Sequence, residues 1–185
     1  MTPSAAAADK TVVTDSRQNG RQIREMPLQR LRRALEPAIT RLMHVYWRFS
    51  RGATLGARAM VIDGSGRIFL IQHSYVAGWH FPGGGVETGE TFLEALAREL
   101  AEEGNIVLTG PPVLHGVFFN KRVSRRDHVA LYIVRDFRQD SQPVPDREII
   151  AHGFFSPDAL PEGTSRATRA RIAEVLGGVA VSELW

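Results

Sequence analysis

Residues 84–106 read GGVETGETFLEALARELAEEGNI, and the way this stretch must fold decides both the class of the protein and its chemistry. Its spacing predicts a helix from about Glu90 to Glu103, with Phe92, Leu93, Leu96 and Leu100 on one sector. Glu99, Glu102 and Glu103 stand at i, i+3 and i+4. At about 100° per residue, the second and third fall about 60° and 40° either side of the first, so the three carboxylates share one face. Like charges so placed repel by a few tenths of a kcal/mol per pair, and the patch calls for a counterion. Hard divalent cations such as Mg²⁺ favour clustered carboxylate oxygens together with phosphate and water. The apolar sector must pack against other elements, which sets the acidic face at the border of a core. Arg98 follows Glu90 by eight residues and is placed to hold the preceding loop by an ion pair.

Upstream, residues 58–62 and 68–72 are apolar runs joined by Asp63-Gly64-Ser65-Gly66, the signature of a β-hairpin. A glycine-rich loop is expected at residues 83–85. Downstream, strands are expected near 113–119, 128–135 and 149–155. A last helix runs from about Ser165 to Leu176, stopped by Gly177-Gly178. The order of elements is that of an α/β protein with a mixed sheet. Residues 1–25 lack apolar periodicity and read as a flexible tail. In 27–51, Leu28, Leu31, Leu35, Ile39, Leu42, Tyr46 and Phe49 recur three or four apart, a basic amphipathic helix that Pro37 kinks or divides.

The chain has 185 residues, 43% hydrophobic and 23% charged, and no cysteine. That composition suits a packed interior and excludes both a disulfide framework and a thiolate metal site. The net charge of +3 is uneven: residues 1–52 carry 10 basic and 4 acidic side chains, the rest 13 and 16. The main body therefore offers no broad cationic face for nucleic acid. The start has no secretory pattern, and no apolar run approaches the roughly 20 residues of a membrane span. A cytoplasmic protein is expected.

The same segment resembles the Nudix box, G-x5-E-x7-R-E-U-x-E-E-x-G-U, where U is a bulky apolar residue. Gly84, Glu90, Arg98, Glu99, Leu100, Glu102, Glu103 and Ile106 match position for position. Asn105 stands where the family has glycine; it follows the helix end, and asparagine is the side chain that best tolerates left-handed geometry there. The approach Trp79-His80-Phe81-Pro82-Gly83 is also similar to that of small, MutT-like Nudix hydrolases. The resemblance implies an α/β/α sandwich around a mixed sheet over residues 53–178, preceded by the helical extension 26–52 and followed by a tail, 179–185.

It also implies an activity: Mg²⁺-dependent cleavage of a phosphoanhydride in a nucleoside diphosphate linked to another group, with Mn²⁺ as a substitute. A nucleotide sugar, ADP-ribose, a nucleoside triphosphate, a dinucleoside polyphosphate or a capped RNA end would serve as substrate. By the same resemblance Glu99, Glu102, Glu103 and the carbonyl of Gly84 hold the metal, which neutralises phosphate charge and acidifies the attacking water. Glu99 is the first candidate for the base and Glu148, outside the box, the second. Glu90 and Arg98 orient the ligands.

Other features weigh less. Trp79, Tyr75, Phe118 and Phe119 are candidates for stacking on a nucleobase, though aromatics beside strands usually pack. Lys121, Arg122, Arg125 and Arg126 form a basic loop suited to a second phosphate group or an RNA end, or simply a solvated hairpin tip. His115 and His128 flank it as structural histidines. The proline-rich stretch 141–145 reads as a turn. The 27–51 helix is expected to pack on its own domain or in a homodimer, with an anionic membrane as the rival surface. The competing class for the whole chain is a non-catalytic Nudix-fold module that senses a nucleotide.

Overall fold

The computed structural model describes residues 52–185 and, before them, residues 39, 41–43 and 46, which are helical. The remainder of the expected tail and amphipathic helix lies outside the described residues. The chain divides into two units, Met1–Phe49 and Ser50–Trp185; the second holds every strand and both helices named below.

Strand β1 (Thr54–Val61) is the axis of that unit. It pairs antiparallel with the short β4 (Gly83–Gly85) and parallel with β7 (Asp127–Val134), which pairs antiparallel with β6 (Val113–Phe119). The sheet β4-β1-β7-β6 is therefore mixed, as expected. A second sheet, β3-β2-β9, comprises Trp79–His80, Ile68–His73 and Ile149–Phe155. A ribbon of β5 (Ile106–Leu108) and β8 (Phe137–Gln139) completes the strands.

Two details of the strands differ from expectation. The turn at Asp63 forms: its carboxylate accepts the Ser65 and Arg67 N–H groups, each at 2.9 Å. The arms it joins then diverge into different sheets, meeting only at the Ile62–Ile68 bridge. The glycine run 83–85, expected as a loop, is the edge strand β4, held by three register pairs to β1.

Alternation along the strands builds two cores. Ala57, Ala59, Val61, Phe69, Ile71, Ala130, Tyr132 and Val134 face helix α1 (Phe92–Gly104), where Ala95, Leu96 and Leu100 meet them. Met60, Ile62, Ile68, Leu70 and Leu131 face the opposite way, towards Ile172 of helix α2 (Arg166–Gly177). A side-chain period of two on shared strands thus yields the α/β/α layering. Leu93, expected in the core, is 48% exposed; Ala95 takes that place in the packing.

Each end of α1 is fixed. Thr91 accepts the Glu94 N–H, while the Glu94 carboxylate accepts the Thr91 N–H, a reciprocal cap worth about 1 kcal/mol. At the other end Asn105 adopts φ 51°, ψ 33°, the left-handed geometry expected of it, and donates its N–H to the Ala101 carbonyl. Residues 179–185, expected as a tail, are tied down. The Phe119 N–H donates to the Glu183 carbonyl and the Trp185 N–H to that of Phe119. Among the described residues no helix is long and apolar enough to cross a membrane.

Candidate functional site

Strand β4 and helix α1 meet along Gly83, Gly84 and the glutamates. Gly83 has φ 130°, and a Cβ on it would lie 2.1 Å from the Ala57 carbonyl oxygen of β1. A Cβ on Gly84 would lie 2.3 Å from Glu99 Oε1. The first glycine lets β4 join the sheet, and the second lets the Glu99 carboxylate lie directly on the backbone.

Arg98 draws this arrangement together. Its Nε donates to Glu90 Oε1 at 2.8 Å and its Nη2 to Glu90 Oε2 at 3.1 Å, a two-point pairing that fits the planar guanidinium. Nη2 also donates to the Gly85 carbonyl at 3.1 Å, and Nη1 to Glu99 Oε1 at 2.8 Å and Glu102 Oε2 at 3.4 Å. The hydrogen bonds from Arg98, with the Glu87 N–H behind them, hold the Glu90 carboxyl down at about 2. The expected ion pair between helix and loop is present, and it reaches Glu99 as well.

The glutamates differ in depth. The Glu102 side chain is 61% exposed, Glu99 13% and Glu103 8%. Glu103 turns inward and accepts the Gly83 N–H through Oε2 at 2.6 Å. Burial pushes its carboxyl up to about 7; the Gly83 N–H and the charge of Arg58 oppose this, and the charges of Glu99 and Glu148 add to it. Behind it, His73 is 6% exposed, with Nε2 3.7 Å from Glu103 Oε1. Burial first, and then the positive charge of Arg58, lower the proton affinity of His73 and favour the neutral ring.

Glu148, just before β9, is exposed, and its Oε1 accepts the Tyr75 hydroxyl at 3.0 Å. The structure thus brings Glu90, Arg98, Glu99 and Gly84 into direct contact, sets Glu102 at the rim and Glu103 beneath. Glu148 acts on Glu103 through its charge. Among the described residues no three Asp, Glu or His side chains stand gathered as a ready cation cage. The carboxylates that converge in the helical projection are engaged instead by Arg98 and the Gly83 N–H.

Other candidates sort clearly. Phe118 is fully buried, and Trp79 packs edge-on against Phe155 at 4.9 Å. Tyr75 is 66% exposed. Lys121, Arg122, Arg125 and Arg126 lie on an exposed turn. His115 Nε2 lies 3.1 Å from Glu174 Oε2, a structural partner. His128 stands beside Phe119, ring centres 5.4 Å apart.

Sequence reasoning missed His73 and Arg58, which surround Glu103, because strand pairing places them there. It also missed the buried pair Arg171 and Glu174. In that pair Arg171 Nε donates to Glu174 Oε2 at 2.7 Å, and Nη1 donates to the Leu184 carbonyl at 2.7 Å. The guanidinium lies 4.2 Å from the Phe118 ring centre. A charged pair three residues apart on the final helix, above an aromatic strand, was the available signal.

The family model of the NUDIX domain matches residues 52–176. An RNA pyrophosphohydrolase of Francisella tularensis subsp. mediasiatica (strain FSC147) is 46% identical over 44 residues, 24% of this chain and 28% of that protein. The chain thus matches less than a third of that relative's length. Among solved structures, a MutT NUDIX hydrolase from Burkholderia pseudomallei is 27% identical with a TM-score of 0.59, covering 67% of this chain and 98% of its own. The E. coli ORF135 protein is 25% identical with a TM-score of 0.56, covering 69% and 91%. Because the family match runs through both cores and the glutamate-bearing helix, the chain belongs to the Nudix hydrolase family.

Proposed function

We propose that this chain hydrolyses a phosphoanhydride bond in a nucleoside diphosphate linked to another group, using Mg²⁺, with Mn²⁺ able to substitute. The observation that carries the reading is the seating of Glu99 on the Gly84 backbone, beside a buried Glu103 whose carboxyl is pushed up to about 7. A carboxylate desolvated next to other carboxylates is a group that a cation relieves. The donors are all hard oxygens, which suits Mg²⁺. Glu99, Glu102, Glu103 and the Gly84 carbonyl would hold the ion. When bound, it supplies charge neutralisation at the phosphate oxygens and makes water more acidic.

In the hydrolysis, the water oxygen bonds to one phosphorus and the bridging P–O bond breaks. The departing phosphate keeps the bridging oxygen and its electron pair. The water's proton goes to a carboxylate. Glu99 is the first candidate, because it lies at the Gly84 backbone among the proposed ligands, and Glu148 is the second. Arg98 and Glu90 fix the loop against the helix, so that Glu99 meets Gly84 in one orientation. His73, whose burial favours the neutral ring, packs behind Glu103 at 3.7 Å.

A capped RNA end belongs on the substrate panel because of the 46% identity to an RNA pyrophosphohydrolase over 44 residues. The test is phosphate and nucleotide release with Mg²⁺ from nucleoside triphosphates, ADP-ribose, a nucleotide sugar, a dinucleoside polyphosphate and that RNA, comparing the parent with Glu102→Gln. Turnover by the parent that falls at least a hundredfold in the variant supports hydrolysis. Tight nucleotide binding without turnover would instead establish a sensing module.

A further inference from the structure

We propose that Tyr75 is a positioning residue that acts through Glu148, holding that carboxylate towards the glutamate patch. The proposal rests on the hydrolase reading for its kinetic consequence, but its geometry stands separately. Opposite Gln72 of β2 lies Ala151 of β9, whereas opposite His73 lies Ile149, so Ile150 is an extra residue in the ladder. Such a bulge bends its strand and re-aims the side chains beside it. The chain that leads into the bulge is then fastened. The Ser74 N–H donates to the Glu148 carbonyl at 2.8 Å and the Ser74 hydroxyl to the Arg147 carbonyl at 2.7 Å. Asp146 Oδ1 accepts the N–H groups of Glu148 and Ile149, each at 2.7 Å.

On this fixed frame the Tyr75 hydroxyl donates to Glu148 Oε1 at 3.0 Å. The Tyr75 ring is itself supported. It lies on His73, ring centres 4.9 Å apart, and His73 is wedged against Glu103. A phenol carried on a flexible segment would gain little from an exposed hydrogen bond, because water competes and side-chain entropy is lost. Here Ser74, beside the tyrosine, and the segment 146–149 that carries Glu148 are already fastened, and the ring has a floor. The hydroxyl therefore selects one orientation of Glu148 from several, without touching the reacting atoms. The sequence Glu148, Tyr75, His73, Glu103 is a continuous contact path from the second candidate base to the deepest of the proposed metal ligands.

Tyr75→Phe keeps the ring on His73 and deletes only the hydroxyl, and Glu148→Gln weakens the acceptor. With the full chain, Mg²⁺ and ADP-ribose or GTP, Tyr75→Phe should lower kcat about tenfold to a hundredfold with KM within twofold, since hydrogen bonds to charged groups carry such effects. Adding Tyr75→Phe to Glu148→Gln should cost little more. A KM that rises with kcat unchanged, or effects of the two substitutions that multiply, would overturn the proposal in favour of stacking or a purely structural role.

A second readout needs no turnover. In metal-free protein labelled with ¹³C-glutamate, the Glu148 carboxyl resonance, assigned by its loss in Glu148→Gln, should move on Tyr75→Phe while that of Glu90 stays in place. If the parent turns over none of the panel, the hydrolase reading fails, and this resonance alone decides the positioning role. An unmoved Glu148 signal would reject that role even in an active enzyme.

Discussion

Glu103 accepts the main-chain N–H of Gly83 at 2.6 Å, so the deepest carboxylate of α1 is also what fastens the edge strand β4 to the helix. Burial holds its carboxyl at about 7 against the usual 4.5. Between those values the folded chain binds more protons than the unfolded one, so this group's contribution makes stability fall as pH rises, with the full penalty above about 7. Glu103→Gln keeps an oxygen for Gly83 and removes the charge. Metal-free Glu103→Gln should therefore melt higher than the parent at pH 8 and close to it at pH 4. The gain is at most on the order of 3 kcal/mol. A difference in melting temperature that does not change across that range would refute the assignment.

Adding Mg²⁺ should raise the melting temperature of the parent at pH 8 and have much less effect on Glu103→Gln. Binding to the folded state alone stabilises by mass action, about 2.7 kcal/mol at a hundredfold excess over Kd. Calorimetry of both proteins with and without the ion checks this. An equal shift in the two would remove Glu103 from the ligand set.

The three adjacent glycines should separate by substitution. Gly83→Ala places a Cβ 2.1 Å from the Ala57 carbonyl at φ 130° and should prevent β4 from pairing, with loss of soluble protein or a large fall in melting temperature. Gly84→Ala pushes the Glu99 carboxylate aside, and should lose activity at least tenfold while remaining folded. Gly85→Ala meets nothing within 4 Å and should resemble the parent. Circular dichroism melts beside turnover give the ordering; equal behaviour of the first two would contradict it.

Arg98→Lys retains the charge but loses the two-point grip on Glu90. Turnover should fall about tenfold to a hundredfold. Stability should change by less than about 1 kcal/mol, since the pair is partly solvated. A fall in melting temperature that accounts for the whole loss of activity would assign Arg98 a scaffolding role only.

Arg171→Met should destabilise the protein by about 3 to 5 kcal/mol, because it leaves the Glu174 carboxylate buried without its cation. Denaturant unfolding measures this. The double variant Arg171→Met with Glu174→Leu should recover much of the loss, as replacing both partners of a buried pair commonly does. A double variant less stable than the single would show that other partners dominate.

Much of this was legible in the sequence because it is local. The helix of the box, the turn at Asp63, the cap position at Asn105 and the contact between Arg98 and Glu90 depend on residues a few positions apart. What was not legible is set by strand pairing. Tyr75 meets Glu148 across 73 positions, and His73 reaches Glu103 through the end of β2. The run 83–85 carries no side chains to announce a strand, and becomes one because β1 offers an edge. The order of depth among the glutamates was hidden for a similar reason. Spacing fixes angles about a helix axis, but the sheet decides which angle faces inward.

Where α1 meets the sheet, four alanines lie among the larger core side chains: Ala57, Ala59, Ala95 and Ala130 are all 0 to 1% exposed. These methyl groups act as a spacer whose thickness sets how far the glutamates stand from the glycine carbonyls. An enlargement such as Ala59→Val would lift the helix and every carboxylate on it together. The small residues along this seam thus set a dimensional tolerance on the site, written into the core rather than into any residue that substrate meets.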